Sequence, residues 1–276
     1  MKYFLVTAFL LFCGFGCQPL VSRFNPPATS NKPVVSTNTV VPENSANVIE
    51  TLPVAGATVS NPIHVTGQAR VFENVVSWRL LSSDGLEITK GTDYAEAPDM
   101  GQFGSFDFWV VVPEIKNVNV TLEVYQASAK DGSAIDVVSI PLILDRINTI
   151  DLKLYFHNNI MDPEITCTTV FSVTRKITAT ILPARAAMVL LLQGPTALEI
   201  ANHYSTAMPF RSELNDISIS GDGLATVDLG GAVAQPLGGS CLVTGISAEI
   251  ENTLKQFEAV KEIKILLDGK EDSLQP

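Results

Sequence analysis

From residue 48 to residue 145 apolar and polar side chains take turns in short runs: NVIETL, IHVTGQARV, VVSWRLLS, LEITKG, FDFWVVV, VTLEVYQAS and VVSIPLIL. A period of two sends alternate side chains to opposite faces, which is the signature of a strand with one buried face. Between the runs stand Ala55-Gly56, Ser60-Asn61-Pro62, Asp84-Gly85, Pro98 to Gly101 and Asp131-Gly132. These residues accept a positive φ or fix φ near its turn value, so each marks a reversal. About seven strands in this stretch with no helical period predict an all-β sandwich. Trp78 lies in the middle of a run, where a sandwich buries it.

The period changes after residue 146. IDLKLYF is one more strand, but Pro183 to Gln193 has helix-forming composition, with Pro at a plausible first position and Gly194-Pro195 to stop it. LNDISIS and LATVDLG flank Gly221-Asp222-Gly223 and predict a hairpin. Val243, Ile246, Ile250, Leu254 and Phe257 recur at helical spacing, and VKEIKILLDG closes as a strand. The expected second domain is α+β, with helices packed on one face of a small mixed sheet.

Ahead of both lies a different pattern. Lys2, the apolar run Tyr3 to Phe12, then Gly14, Gly16 and Cys17 have the parts of a secretory signal, and the run is too short to span a bilayer. Residues 1–17 read as that signal. Gly16-Cys17 resembles the lipobox of bacterial lipoproteins, in which the cysteine receives diacylglycerol; Gly14 stands where that pattern usually has Leu. Lipidation at Cys17 is the expectation, cleavage with a free thiol the alternative. Residues 18–47 are rich in Pro, Ser, Thr and Asn without apolar period, and cannot bury enough surface to offset their ordering entropy. They read as a disordered tether between membrane and folded part.

Two stretches of the chain resemble known families. Gly56, Val59, Pro62, Val65, Gly67, Ala69, Phe72 and Glu73, with Gly101 to Phe106, resemble the germination-associated immunoglobulin-like domain, Gmad of the second type, over residues 48–146. That resemblance implies an immunoglobulin-like sandwich and brings no catalytic residues. Residues 150–276 are similar to the GerMN domain of sporulation and germination proteins. The similarity rests on Tyr155-Phe156, FSVTR ending at Arg175, Leu191 with Gly194-Pro195-Thr196, Val227-Asp228, Gly238-Gly239-Ser240, Gln256-Phe257, Val260 and Asp268-Gly269. Its relatives resemble ring-building motifs of secretion and sporulation assemblies, which implies protein contacts and not turnover. On the first helix of this half, Val189 and Leu190 are apolar where relatives tend to carry Glu. A helix apolar nearly all round is either wholly buried or a partner's interface.

Charge narrows the partners. Residues 49–145 carry five Lys/Arg against thirteen Asp/Glu and residues 146–276 ten against fifteen, within a total of −11. Two acidic domains disfavour nucleic acid, and only Arg175-Lys176 resembles a basic patch. Of four cysteines, Cys13 leaves with the signal and Cys17 is the lipid candidate. Cys167 and Cys241 remain as a pair in an oxidising compartment, where a disulfide is the expectation. The rival is a thiolate nucleophile at a helix start, for which no motif supplies a base. His64, His157 and His203 have no ligand-spaced partner, so no metal and no cofactor is expected. Asp93, Glu96 and Asp99 form an acidic loop that matches no calcium pattern. Ser240 is the expected cap of the last helix.

These readings converge on a lipid-anchored extracytoplasmic lipoprotein, in the outer membrane if the host has one, with a non-catalytic binding or assembly role and an unknown envelope protein partner. Two rivals differ in class. An enzyme acting on cell-wall polymer needs a cleft that joins acids, His or a free thiol; a ligand-binding lipoprotein of a transporter needs a pocket between the domains.

Overall fold

Period-two alternation becomes a sandwich in the computed structural model, which describes residues 47–271. The signal sequence, Cys17 and the tether up to residue 46 lie outside the described residues. The sandwich strands are β1 (Val48–Leu52), β2 (Thr58–Val59), β3 (Ile63–Ala69), β4 (Val75–Ser82), β5 (Glu87–Tyr94), β6 (Gly104–Val110), β7 (Asn119–Ala127) and β8 (Ala134–Leu144). One sheet has the order β1-β3-β6, the other β2-β8-β7-β4-β5. Ile63, Val65, Phe106, Phe108 and Val110 point inward from the first sheet onto Trp78, Leu80, Leu122 and Val124 of the second. Two glycines make room for aromatic rings. A Cβ on Gly67 would stand 2.4 Å from the Phe106 ring, and one on Gly91 would stand 2.5 Å from the Trp78 indole.

The second half runs β9 (Thr149–Asn158), β10 (Phe171–Thr178), α1 (Pro183–Leu192), α2 (Ala197–Ala201), β11 (Tyr204–Ser205), β12 (Ser212–Ile219), β13 (Leu224–Gly231), α3 (Ser240–Leu254) and β14 (Glu262–Leu267). Its strands come as two three-stranded sheets, an antiparallel β10-β9-β11 and a mixed β12-β13-β14. β13 and β14 are parallel, so the chain must cross over between them, and α3 is that crossover. Helices α1 and α3 pack on each other and on β9, and α1 also meets β12.

That enclosure decides between the two readings of α1, for burial and against a partner interface at Val189 and Leu190. Val189 and Leu190 are each 8% exposed and belong to the core with Leu154, Phe156, Ile246 and Ile250. α1 is apolar nearly all round because α3, β9 and β12 surround it, not because a partner covers it. Ser240 is not a cap: it lies inside α3, the cap position is Gly239 at φ 95°, and no side chain bonds the helix end. At the other end of the half, Pro183 opens α1 and Gly194 follows it at φ 76°, as the pattern predicts.

Only residues 145–148 separate β8 from β9, and the two halves belong to one compact unit. The seam is built on Asn61, 1% exposed in the turn before β3. Its side-chain oxygen accepts from Val112 N–H (2.8 Å), and its amide donates to Val112 O (3.2 Å) and to Thr178 O (2.5 Å). Thr180 Oγ1 donates to the Asn61 carbonyl, and Thr178 Oγ1 to Pro113 O at 2.7 Å. Val111 finishes the junction by entering the core of the second half.

Candidate functional site

Beside this seam the domains part and leave a cleft of about 940 Å³. Its sandwich wall is made by β5, together with His64, Asp107 and Trp109 of the neighbouring sheet; its opposite wall is made by α1, the turn at Gly194 and the stretch from Phe210 to Asp216. The sequence pattern explains why these side chains face it. On β3 and β6 the inward positions are apolar, so the alternate residues His64, Asp107 and Trp109 are left on the outer face. The His64 ring stacks on the Trp109 indole with centroids 4.2 Å apart, and His64 Nε2 lies 2.6 Å from Asp107 Oδ1. The Arg185 guanidinium, reaching from α1, covers the same indole at 4.7 Å and holds Asp216 at 2.5 Å. Both neighbours of Trp109 are therefore charged or polar, and the arrangement ties domain to domain.

A second bridge starts from an unusual backbone. Arg211 has φ 69°, its carbonyl accepts from Ala232 N–H at 2.8 Å, and a Cβ on Gly231 would strike that carbonyl. Only glycine fits at 231, and the turn it allows lays the Arg211 guanidinium 3.5 Å above the Tyr94 ring of β5. Phe210 meets the same tyrosine edge-on, yet is itself 78% exposed.

Carboxylates supply the electrostatics. Burial pushes the Asp93 carboxyl up to about 7, and Glu213 and Asp107 push in the same direction. Burial also raises Glu213, helped by Glu96 and Asp268 and opposed by Arg211. Among the described residues Asp93, Glu96 and Glu213 take part in no ion pair, whereas the cations are engaged. Arg175 is not the basic patch its sequence suggests: it pairs with Glu199 at 2.6 Å and donates to Gly194 O at 2.8 Å, fastening the end of α1. Burial raises the Glu199 carboxyl, but the Arg175 and Thr196 hydrogen bonds outweigh it and the net shift is downward.

Behind the cleft wall lies a group the sequence reading passed over. Glu249 of α3 is completely buried; its oxygens accept from Thr206 Oγ1 (2.7 Å) and Ala207 N–H (2.8 Å), and His157 Nε2 is 3.7 Å away. Burial pushes its carboxyl up to about 7 against those hydrogen bonds. Glu249 could have been noticed, because it shares the core face of the helical period with Ile246, Ile250 and Thr253. It holds the segment that leads directly into Phe210 and Arg211.

The other singled-out residues fall elsewhere. Cys167 and Cys241 form a disulfide with Cα atoms 5.1 Å apart, which occupies both thiols; Cys167 sits in a turn before β10 and Cys241 in the first turn of α3. Asp99 does not line the cleft although Asp93 and Glu96 do. His203 has φ 67° at the end of the short α2 and also lies outside the cleft. Among the described residues no group of three His, Cys, Asp or Glu could hold a metal ion, and no hydroxyl or thiol is hydrogen-bonded to a histidine. The cleft does join acids and a histidine, so the condition set for a polymer-acting enzyme is met in composition; a nucleophile beside a base is what it lacks among the described residues.

Comparison with known proteins places each half. Residues 48–133 match the family described as the immunoglobulin-like domain of bacterial spore germination, Gmad2, and residues 153–273 match the family described as sporulation and spore germination, Germane. Among solved structures, the tandem GerMN domains of the sporulation protein GerM from Bacillus subtilis are similar at 21% identity and a TM-score of 0.36, over 44% of this chain and 40% of that one. This chain thus spans well under half of that tandem structure. The first GerMN domain of the same protein is similar at 18% identity and a TM-score of 0.31, over 44% of this chain and 84% of that one. No curated protein gives a significant match.

Proposed function

We propose, for a chain whose residues 48–133 match the Gmad2 family and whose residues 153–273 match the Germane family, that it is a membrane-anchored extracytoplasmic lipoprotein with a non-catalytic binding or assembly role in the cell envelope. The observation that carries the binding role is the cleft, where two domains joined at a buried polar seam line a concave surface between them. Its cations are used to fasten the walls, and none of its side chains forms a nucleophile-base pair among the described residues. An envelope protein is the partner proposed for that surface. The anchoring half of the proposal rests on Cys17 and the short apolar run before it, and on a disulfide that suits an oxidising compartment.

The ligand-binding reading is favoured by the same cleft, which is the pocket between domains that it requires. Recognition in place and turnover absent is the distinction to test. Cys17→Ser should move the protein from membrane to soluble fraction, and the purified chain should leave peptidoglycan fragments uncut. A Cys17→Ser protein that stays with membranes removes the lipid anchor, and measurable cleavage abolished by Asp93→Asn would make the cleft an active site.

A further inference from the structure

The residues along the cleft are consecutive, Thr89 to Tyr94 on one wall and Phe210 to Asp216 on the other. A surface lined by a strand's face takes every second residue; one lined by consecutive residues meets the strand's edge. Both strands are the last of their sheets, β5 beyond β4 and β12 before β13. Hydrogen bonding fixes the direction on β5. Ala95 N–H crosses to Asn74 O at 2.8 Å on the β4 side, whereas Tyr94 N–H turns away and donates to the Asp93 carboxylate at 2.8 Å. Antiparallel pairing alternates inward and outward residues, so the N–H and C=O of Thr92 and Lys90 share that outer edge with Tyr94. Past Tyr94 the edge is taken, because Glu96 N–H donates to Ser105 O at 2.8 Å. From Glu87 to Tyr94 no strand among the described residues pairs with it.

Resting on the reading of the cleft as a binding surface, we infer that its occupant is an extended, basic polypeptide segment of a partner protein that adds as a strand to the outer edge of β5. Strand addition satisfies the outward groups of Lys90 and Thr92 and needs no shape beyond an extended backbone. Charge selects the basic class. The cleft's arginines face Asp216, Glu199 or the Tyr94 ring, and Lys90 faces Glu87 at 3.0 Å, while among the described residues Asp93, Glu96 and Glu213 form no ion pair and only Arg211 acts, at longer range, on Glu213. Lysine or arginine side chains from an added strand would supply the missing partners, and a chain of net charge −11 draws a basic segment from a distance. The volume suits a few extended residues and not a folded domain.

The test uses the full chain in detergent and a fluorescent nine-residue probe of alternating lysine with valine or threonine, followed by anisotropy. Saturable binding is expected. The same probe N-methylated on alternate amides, and a probe with glutamate for lysine, should each bind at least about tenfold more weakly, the worth of one or two strand hydrogen bonds or charge contacts. Thr92→Pro removes one outward donor and no bond to β4, so it should weaken the lysine probe by a similar factor with thermal unfolding unchanged. If that variant does not fold, the N-methylated probe on the unaltered chain decides alone. Equal binding of plain and N-methylated probes overturns strand addition; equal binding of lysine and glutamate probes overturns the basic class. No binding of the lysine probe overturns both. A photo-crosslinking residue at Phe210 separates this failure from a wider one: adducts in intact membranes without probe binding keep the cleft and remove its proposed occupant, while no adducts remove the cleft reading as well.

Discussion

The two domains meet in two ways along one boundary. At the seam, Asn61 and Thr178 join them through neutral hydrogen bonds that engage both side-chain polar atoms of Asn61 and its carbonyl. At the cleft, contact is made by charged and aromatic side chains, and among the described residues Asp93, Glu96 and Glu213 form no ion pair. The difference is one of water. A dry junction tolerates only satisfied neutral groups, whereas ions persist where solvent reaches them, and they are then free to meet another molecule. The seam is accordingly the structural part of the boundary and the cleft the part with spare chemistry.

The largest effect should come from breaking the seam. Asn61→Ala deletes three side-chain hydrogen bonds and strands Val112 N–H and Thr178 O away from water, which should cost about 4 kcal/mol in chemical denaturation. Two unfolding transitions in place of one should appear. A loss below about 1 kcal/mol would mean that the apolar contacts at Val111 hold the domains without it.

Next in size is the group behind the cleft wall. The Glu249 carboxyl holds its proton up to about 7 in the folded chain, against 4.5 when unfolded. Between those values the folded state binds more protons, so stability falls as pH rises from 4.5 to 7, by about 3 kcal/mol. Asp93, raised from 3.8 to about 7, acts in the same direction, screened by its partial exposure. Glu249→Gln should flatten most of this slope in melting curves taken across that range. A slope unchanged in the variant would assign it to Asp93 or to other groups.

The disulfide sharpens the comparison as a control, since neither cysteine lines the cleft or bonds at the seam. Reduction should remove about 2 to 3 kcal/mol from the second domain and leave probe binding in the cleft unchanged. Smallest of all should be Arg185→Ala. It removes the cover of Trp109 and the ion pair to Asp216, together worth about 1 kcal/mol, and its signature is a larger salt-independent flexibility of the cleft walls in hydrogen exchange.

These contrasts also mark where sequence reading stops. Local period carried the elements: the inward Phe106, Phe108 and Val110 of β6 and the Ile246, Ile250 and Leu254 stripe of α3 lie where alternation and helical spacing put them. Strand-to-strand relations carried over a helix were harder. The parallel pairing of β13 with β14 depends on α3 as a crossover, and the division into two sheets depends on β9 having partners on both sides. The two-residue β2 and five-residue α2 are too short to show a period at all. Asn61 reads as a turn residue before Pro62, and its second role arises only when Thr178, over a hundred positions later, is brought to it. The cleft has the same origin: Tyr94 and Arg211 meet through tertiary packing, which no local pattern encodes. For Val189 and Leu190 the composition was visible and its cause was not, because burial by the chain itself and burial by a partner write the same apolar residues.

The central claim is that the cleft is the working surface, and it is tested most directly by photo-crosslinking in intact membranes with the reactive residue placed at Thr92, on the open edge of β5, or at Val137, exposed on β8 outside the cleft. Specific protein adducts from Thr92 and none from Val137 are expected. Adducts of equal yield from both positions, or from Val137 alone, would contradict it.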